Sequence, residues 1–452
     1  MNNKEQVNVL VICSTLNQIT NYLMIKKYQP ETIVNITLKE DDDTGINIKN
    51  KEWDDYLKET IKDNKEKLKY EYEKIDIELE FQELISIADI EESFRVENDF
   101  FEILNDKDKI VYWNITGGQR TIALAIQKFI LENKREKDRM LYIEGNSEKL
   151  LIQDINGLCG IEDYKDEKLN LETAFKLVGF ENFDVDEENL IKEHNQKECD
   201  IFLKLYDLIV DNDLIFEVNG NDLNLRDHLI ESNKGELKSE GRKEYLVEIF
   251  NELARMEHLK EEQVEYLTEY KIEKVKKDGE EVEKKKYEII NGSYPAGTIF
   301  EMIVGYKLLK VIKNGDYNIV DMRMNCRVKF DGATKDDDSS DKQVDELDII
   351  LLTATGQIII FECKSGGMSS DNAKSHKYTT YRLAGVFGAP IFLTPLFEEE
   401  RKESGNIEEK RLSTCLSAYR SANRAELETW AVDNIEDGFE TLMKKYKEEG
   451  AN

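Results

Sequence analysis

The chain has 452 residues, more than one ordinary core of ~100–200 residues holds, so it is expected to divide into several units. Its 63 Lys and Arg stand against 95 Asp and Glu, a formal net charge of −32, which argues against a protein that coats nucleic acid or an anionic membrane through clustered cations. With 40% hydrophobic residues, 20 Tyr and 18 Phe, it has the material for packed cores and is not a disordered chain.

The first 155 residues alternate β-rich runs with charged helical stretches, the pattern of a parallel sheet covered by helices. Strands are predicted at Val7–Ser14, Thr32–Leu38, Ile77–Ile85, Lys109–Ile115 and Met140–Ile143, and helices at Asn17–Gln29, Lys51–Lys74, Ile90–Leu104 and Gln119–Asn133. A hairpin around Gly145 and Asn146 completes this Rossmann-like unit, assigned to residues 1–163. Residues 164–290 read as a mainly helical connector of solvated charged faces, with a hairpin turning at Asp278 and Gly279. A further α/β unit, residues 291–400, runs through a helix (Thr298–Ile312), a strand (Tyr317–Met324), an acidic insertion (331–343), strands Glu346–Thr353 and Gln357–Cys363, a helix (His376–Val386) and a strand (Pro390–Thr394). The tail, 401–452, is helical by period.

Four Pro leave no proline-rich linker. Six scattered cysteines without a CxxC pair fit a reducing compartment. No apolar run matches a signal peptide or reaches the ~20 residues of a membrane span, so the expected location is cytoplasmic, with no membrane partner.

Chemistry concentrates in two places. In VDELDIILLTATGQIIIFECKSG, two apolar strands fold back at a TATGQ turn and bring Asp348 beside Glu362. Alternation puts Lys364 on the face of Glu362 and Cys363 on the other. Two hard carboxylates at one end of a hairpin suit Mg²⁺ or Mn²⁺, and the adjacent Lys suits holding or deprotonating a water and stabilising charge on a phosphate oxygen. Glu301, in the preceding helix, is the candidate for a further metal or water ligand. Beyond this strand, Lys374, Lys377 and Arg382 are interleaved with Tyr378 and Tyr381. They read either as a single-strand binding surface or as an ordinary amphipathic helix with its aromatics in the core, and His376 as a surface residue.

The second place is KIVYWNITGGQRTIALAIQKFI, a strand, tight turn and helix. Gly117 and Gly118 permit close backbone approach, the helix start favours an anion, and Asn114, Thr116, Gln119, Arg120 and Thr121 supply hydrogen-bonding groups. Ser14, Thr15, Asn17 and Gln18, after the first strand, face the same rim. A plain helix-capping turn is the alternative reading. The first strand is followed by no GxGxxG and no P-loop.

Asp348, Glu362 and Lys364, as D, thirteen residues, then E-C-K, resemble the PD-(D/E)XK nuclease signature. N-x-T-G-G-Q-R-T together with STLNQITNYL resembles the CARF sensor domain. The pair, covering about 1–155 and 291–395, resembles the ancillary nucleases of type III CRISPR systems. That resemblance implies a CARF domain followed by a restriction-endonuclease-like α/β domain, with metal held by Asp348, Glu362 and the backbone carbonyl of Cys363. It also implies water positioned by Lys364, and a homodimer whose paired CARF domains bind a cyclic oligoadenylate, cyclic tetra-adenylate by family pattern, to switch on cleavage of RNA or DNA. The alternative is a nucleotide-responsive transcription regulator with an inert C-terminal domain. Residues 291–400 carry 12 Lys and Arg against 16 Asp and Glu, so the acidity is concentrated elsewhere, and the charge argument applies only to non-specific coating.

Overall fold

The computed structural model describes residues 7–39, 50–63, 73–80, 82–145, 147–182, 189–211, 215–218, 221–232, 250–277, 280–289, 296–330, 343–385, 388–402 and 412–448. Nearly all of the acidic insertion, and the turn residues Asn146, Asp278 and Gly279, lie outside the described residues.

Apolar runs at or near the predicted places form β1 (Val9–Cys13), β2 (Thr32–Leu38), β3 (Glu73–Leu79), β4 (Val111–Asn114) and β5 (Arg139–Glu144), the expected hairpin supplies β6 (Lys149–Asp154), and a further, mostly exposed strand not expected from the sequence adds β7 (Gly157–Asp163). They make one sheet in the order β3-β2-β1-β4-β5-β6-β7, the first five parallel and the last two antiparallel additions. Helices α1 (Ile19–Tyr28), α2 (Asn50–Asp63), α3 (Ile87–Val96), α4 (Asn98–Asn105) and α5 (Arg120–Glu132) flank it. The Rossmann-like expectation holds. Strand order reverses between β1 and β4, the switch point at which open α/β sheets bind ligands.

Local competition moved several boundaries. The third strand ends at Leu79, because the Glu83 carboxylate accepts the Glu80 N–H (2.7 Å) and starts a turn, and Ser86 then caps α3 by accepting from the Asp89 N–H (3.2 Å). The helix expected over Ile90–Leu104 breaks at the extended Glu97, and Phe94 and Phe100 meet edge to face around Trp113.

Chain 164–289 contributes α6 (Leu171–Lys176), β8 (Phe180–Asn182), α7 (Gln196–Asp211), hairpin strands β9 (Ile215–Val218) and β10 (Asn221–Asn224), α8 (Leu225–Ser232), α9 (Glu261–Leu267) and hairpin strands β11 (Thr268–Lys277) and β12 (Glu280–Ile289). Then follow α10 (Ala296–Asn314), β13 (Ile319–Phe330), β14 (Gln343–Thr353), β15 (Ile358–Cys363), α11 (Ser370–Ala384), β16 (Ala389–Thr394), α12 (Glu398–Lys402), α13 (Ser413–Arg424), β17 (Glu428–Ala431) and α14 (Ile435–Glu448). The second sheet runs β17-β16-β15-β14-β13-β8. The helical reading of the tail missed β17, four residues too short to show a period, which pairs in parallel with β16.

The two sheets share a core. Leu10, Ile12 and Leu141 of the first, with Ile19, Tyr22 and Leu23 of α1, pack in one cluster with Ile350, Leu352, Ile358 and Ile360 of the second. The β14–β15 turn is gripped closely. A Cβ on Gly356, whose φ is +86°, would lie 2.2 Å from Ile19 Cγ2. Buried Glu148, at the start of β6, accepts from Thr355 Oγ1 (2.8 Å) and Asn318 Nδ2 (3.3 Å), and the Gln357 amide donates to the Gly145 carbonyl. The opposite face of the second sheet packs on α7, α8, α10 and α14.

Candidate functional site

The register Ile349↔Phe361, Ile350↔Ile360, continued by one residue, sets Asp348 opposite Glu362. Ordinary alternation is interrupted beside them. Met322 and Met324 belong to the core under α10, whereas Cys326 and Val328 belong to the core shared with the first sheet. Between them Asn325, with φ +53°, falls opposite Asp348 in the ladder. Asn is among the few residues that adopt this left-handed conformation readily. The distortion opens a cavity of about 670 Å³ lined by Thr298, Glu301, Asn325, Glu346, Asp348, Glu362, Lys364, Asn372, Ser375 and His376.

Each side chain is held. Asp348 is only 6% exposed, and its Oδ2 accepts the Cys363 N–H at 2.7 Å. Lys364 Nζ lies 2.6 Å from Glu362 Oε1 and 3.5 Å from Asp348 Oδ2, its backbone fixed by donation to the Leu393 carbonyl (2.9 Å). Gly305 lets α10 lie against β13, since a Cβ there would sit 2.0 Å from Met324 Sδ, and one turn earlier the helix carries Glu301 to the cavity.

One lysine faces several carboxylates. Burial, reinforced by Glu362, pushes Asp348 well above the usual carboxylate range, with Lys364 opposing. Burial likewise raises Glu301 to about 7, Glu362 and Glu346 adding to it and Lys364 opposing. Burial pulls Lys364 down, but Asp348 and Glu362 outweigh it and hold the ammonium charged well above its ordinary value. Cys363 points into the core, where burial raises its thiol and leaves it inert.

His376, expected on the surface, is 3% exposed, with Nδ1 3.7 Å from Glu362 Oε2. The helix starts six residues earlier than expected, at Ser370, because the Ser369 side chain accepts the Asn372 N–H (3.1 Å). The cavity therefore receives Asn372, Ser375 and His376, a spacing that marks one helix face. Lys374, Lys377 and Tyr378 occupy the opposite face, exposed, with Lys377 paired to Glu426 (2.9 Å) and Lys374 near Asp371 (3.5 Å). Arg382 is half-buried near the far end of α11.

At the switch point of the first sheet, the predicted residues divide. Gln18, Asn114 and Thr116 are scaffold: Gln18 accepts from Asn21 Nδ2 (2.7 Å), Asn114 Nδ2 donates to Asn21 Oδ1 (2.8 Å), and Thr116 Oγ1 accepts the Ile143 N–H (2.8 Å). Ser14 Oγ donates to buried Asp54 Oδ1 (2.5 Å), a partner on α2 that no local motif marks, and Asn35 Nδ2 donates to Asp54 Oδ2 (2.8 Å). Asn17 turns to the second sheet, its Nδ2 donating to the Ala384 carbonyl (3.1 Å). Thr15, Gly117, Gly118, Gln119, Arg120 and Thr121 are exposed or half-exposed along the rim. No side chain caps the N-terminus of α5, which opens onto it.

Neither a protein-family model nor a curated protein matches this sequence. Solved structures do. Protein VC1899 from Vibrio cholerae superposes with a TM-score of 0.59 at 15% identity, covering 99% of each chain. Can2 from Sulfobacillus thermosulfidooxidans, solved in complex with cyclic tetra-adenylate, superposes at 0.56 and 14% identity, covering 96% of this chain and 99% of its own. This chain has the fold of those two proteins along its length. The α/β architecture expected from the CARF and nuclease motifs is therefore the one observed. No helix among the described residues is long and apolar enough to cross a membrane.

Proposed function

We propose that the protein is a cyclic oligoadenylate-activated, metal-dependent endonuclease of type III CRISPR defence. The observation that carries this reading is the meeting of Asp348, Glu362 and Lys364 in one cavity, on a sheet fused to a Rossmann-like sensor fold. Among the described residues no three His, Cys, Asp or Glu side chains already form a metal cage. The donor set nevertheless fits Mg²⁺ or Mn²⁺, hard ions that often take one or two carboxylates, a carbonyl and waters; burial first, and neighbouring carboxylates after it, raise Asp348 and Glu301, and a bound cation would relieve the second cause. Asp348, Glu362 and the Cys363 carbonyl would hold the ion, which supplies Lewis-acid stabilisation of the phosphate. Lys364, charged, donates to the water or a phosphate oxygen. Glu301, near neutrality, is suited to take the proton from that water. Thr15 and the loop Gly117–Thr121 at the α5 N-terminus would cradle the ring phosphates.

Labelled single- and double-stranded DNA and RNA, incubated with Mn²⁺ or Mg²⁺ with and without cyclic tetra-adenylate, test this reading. Cleavage is expected only with metal, and to rise with the ring. Cleavage that persists in the Asp348→Ala, Lys364→Ala protein would remove the site assignment. A ring-dependent DNA mobility shift without cleavage would favour the regulator instead.

The raised value of Glu301 sets a pH dependence. Its folded value of about 7 lies above its ordinary 4.5, so the unfolded chain releases that proton first and metal-free stability falls as pH rises between the two. Asp348 acts in the same direction. Mn²⁺ is thus expected to raise the melting temperature more at pH 8 than at pH 6, and Glu301→Gln to flatten the metal-free pH dependence. Melting curves across pH 5–8 check both.

The dimer is proposed from an uncovered apolar face. Tyr142, Leu151 and Ile161 form one row across β5, β6 and β7, exposed Leu158 lies beside it on β7, and Leu124 and Leu131 are exposed on the outer face of α5. Such a patch invites a self-complementary copy. Leu124→Glu with Ile161→Glu is expected to yield monomer at micromolar concentration in analytical ultracentrifugation.

A further inference from the structure

Helix α11 touches both sites at once. Its N-terminal half lines the catalytic cavity with Asn372, Ser375 and His376. Its last carbonyl-bearing turn lies against the first unit: Ala384 O accepts from Asn17 Nδ2, Leu383 and Ala384 join the core containing Ile19 and Leu23, and a Cβ built on Gly385, whose φ is +65°, would lie 3.5–3.6 Å from Asn17. Asn17 is itself rigidly placed, because its Oδ1 accepts the Ile19 N–H (3.0 Å) at the start of α1. Fifteen residues of helix span about 22 Å and do not compress, so a shift of residues 14–18 is delivered to the other end as a shift or tilt of the whole helix.

At that other end stands Glu362. Its two oxygens face different neighbours, Oε1 the Lys364 ammonium at 2.6 Å and Oε2 the His376 ring at 3.7 Å. The remaining route between the sites is stiff: Ile19 wedges against Gly356, and Glu148 is bonded to Thr355 and Asn318, so the β14–β15 turn is clamped to the first sheet. Among the described residues, α11 meets the first unit through the Asn17 hydrogen bond and the buried Leu383 and Ala384, and it packs along β15, so a displacement of its end is felt by the strand that carries Glu362.

We propose that α11 is the intrachain coupler between the ring-binding loop and the catalytic carboxylates, with Asn17 as its grip and His376 as a positioning residue for Glu362. This deepens the activation reading above and rests on it. Ring binding at Thr15 shifts Asn17, Asn17 carries the end of α11 with it, and His376 sets the orientation of the Glu362 carboxylate that would hold the ion.

The test uses full-length wild type, Asn17→Ala and His376→Asn, each assayed for cyclic tetra-adenylate binding by calorimetry and for cleavage of labelled DNA and RNA across a Mn²⁺ titration. Asn17→Ala is expected to bind the ring within about threefold of wild type while its activation by the ring falls about tenfold. His376→Asn is expected to bind the ring as wild type does and to need about tenfold more Mn²⁺ for its half-maximal rate, with much of the maximal rate recovered at saturating metal. Retained ring binding reports that each variant is folded. Wild-type activation in Asn17→Ala, or a wild-type metal response in His376→Asn, would overturn the coupler while leaving the nuclease reading intact. A wild-type protein that cuts no faster with the ring would overturn both.

Discussion

Asp348→Asn is expected to lower metal-dependent cleavage by a thousandfold or more while making the metal-free protein more stable, on the order of 1 kcal/mol at pH 8. The two effects share one cause. Asp348 is buried beside Glu362 and Glu301, and its charge is disfavoured by desolvation and like-charge repulsion, which is why its carboxyl is held so far above its ordinary range. The amide keeps an oxygen to accept the Cys363 N–H and removes the charge, so folding improves where metal binding fails. Lys364→Met should lose a similar factor in rate with the opposite sign in stability, falling by roughly 2–3 kcal/mol, because three acidic groups then face one another without their cation. Melting temperatures at pH 8 without metal, set beside cleavage rates with Mn²⁺, separate the cases. If the two variants moved stability in the same direction, the electrostatic account of the cavity would be wrong.

The pairing of the two carboxylates of the candidate site is legible in the sequence because a hairpin is local. Fourteen residues and one turn determine that Asp348 and Glu362 meet, and the apolar alternation of β14 and β15 determines that they meet at one end of a buried sheet. What lies around them was not legible in the same way. His376 reaches Glu362 only because Ser369 starts α11 early and because that helix packs across β15, a tertiary fact that a basic-aromatic pattern obscured. Strict alternation also fails at Asn325, whose left-handed backbone carries no sequence mark beyond being an asparagine. In the first sheet the strands and the glycine turn were read from local composition, and β1 and β4 lie at the switch point. Asp54 was missed because its role depends on where α2 lands. Asn17 looks like a rim residue in the sequence because nothing local says that a second sheet stands against α1.

The glycine turn yields the second large effect. Gly118→Ala is expected to weaken cyclic tetra-adenylate binding by about a hundredfold and to abolish ring-stimulated cleavage. Gly118 has φ +82°, and a Cβ built there would stand 2.7 Å from the Cβ of Cys13. Cys13 cannot yield, being buried in β1, which is paired on both sides by β2 and β4. The loop must therefore move outward, at a cost of about 1–3 kcal/mol for the strained conformation alone, and the first turn of α5 moves with it. Backbone N–H groups placed for phosphate oxygens are the groups least able to follow, since a shift of an ångström or so breaks a hydrogen bond that the side chains of Gln119 and Arg120 cannot replace. Gly117→Ala is the graded control. Its Cβ would meet Thr15 Cγ2 at 3.2 Å and the Cys13 carbonyl at 3.3 Å, tight contacts but not the 2.7 Å overlap at Gly118, so a smaller loss, about tenfold or less, is expected. Calorimetry with the ring and a melting curve for each variant check the ordering. Wild-type ring affinity in a folded Gly118→Ala protein would remove this loop from the activator site and return it to the plain helix-capping turn that its sequence also permits.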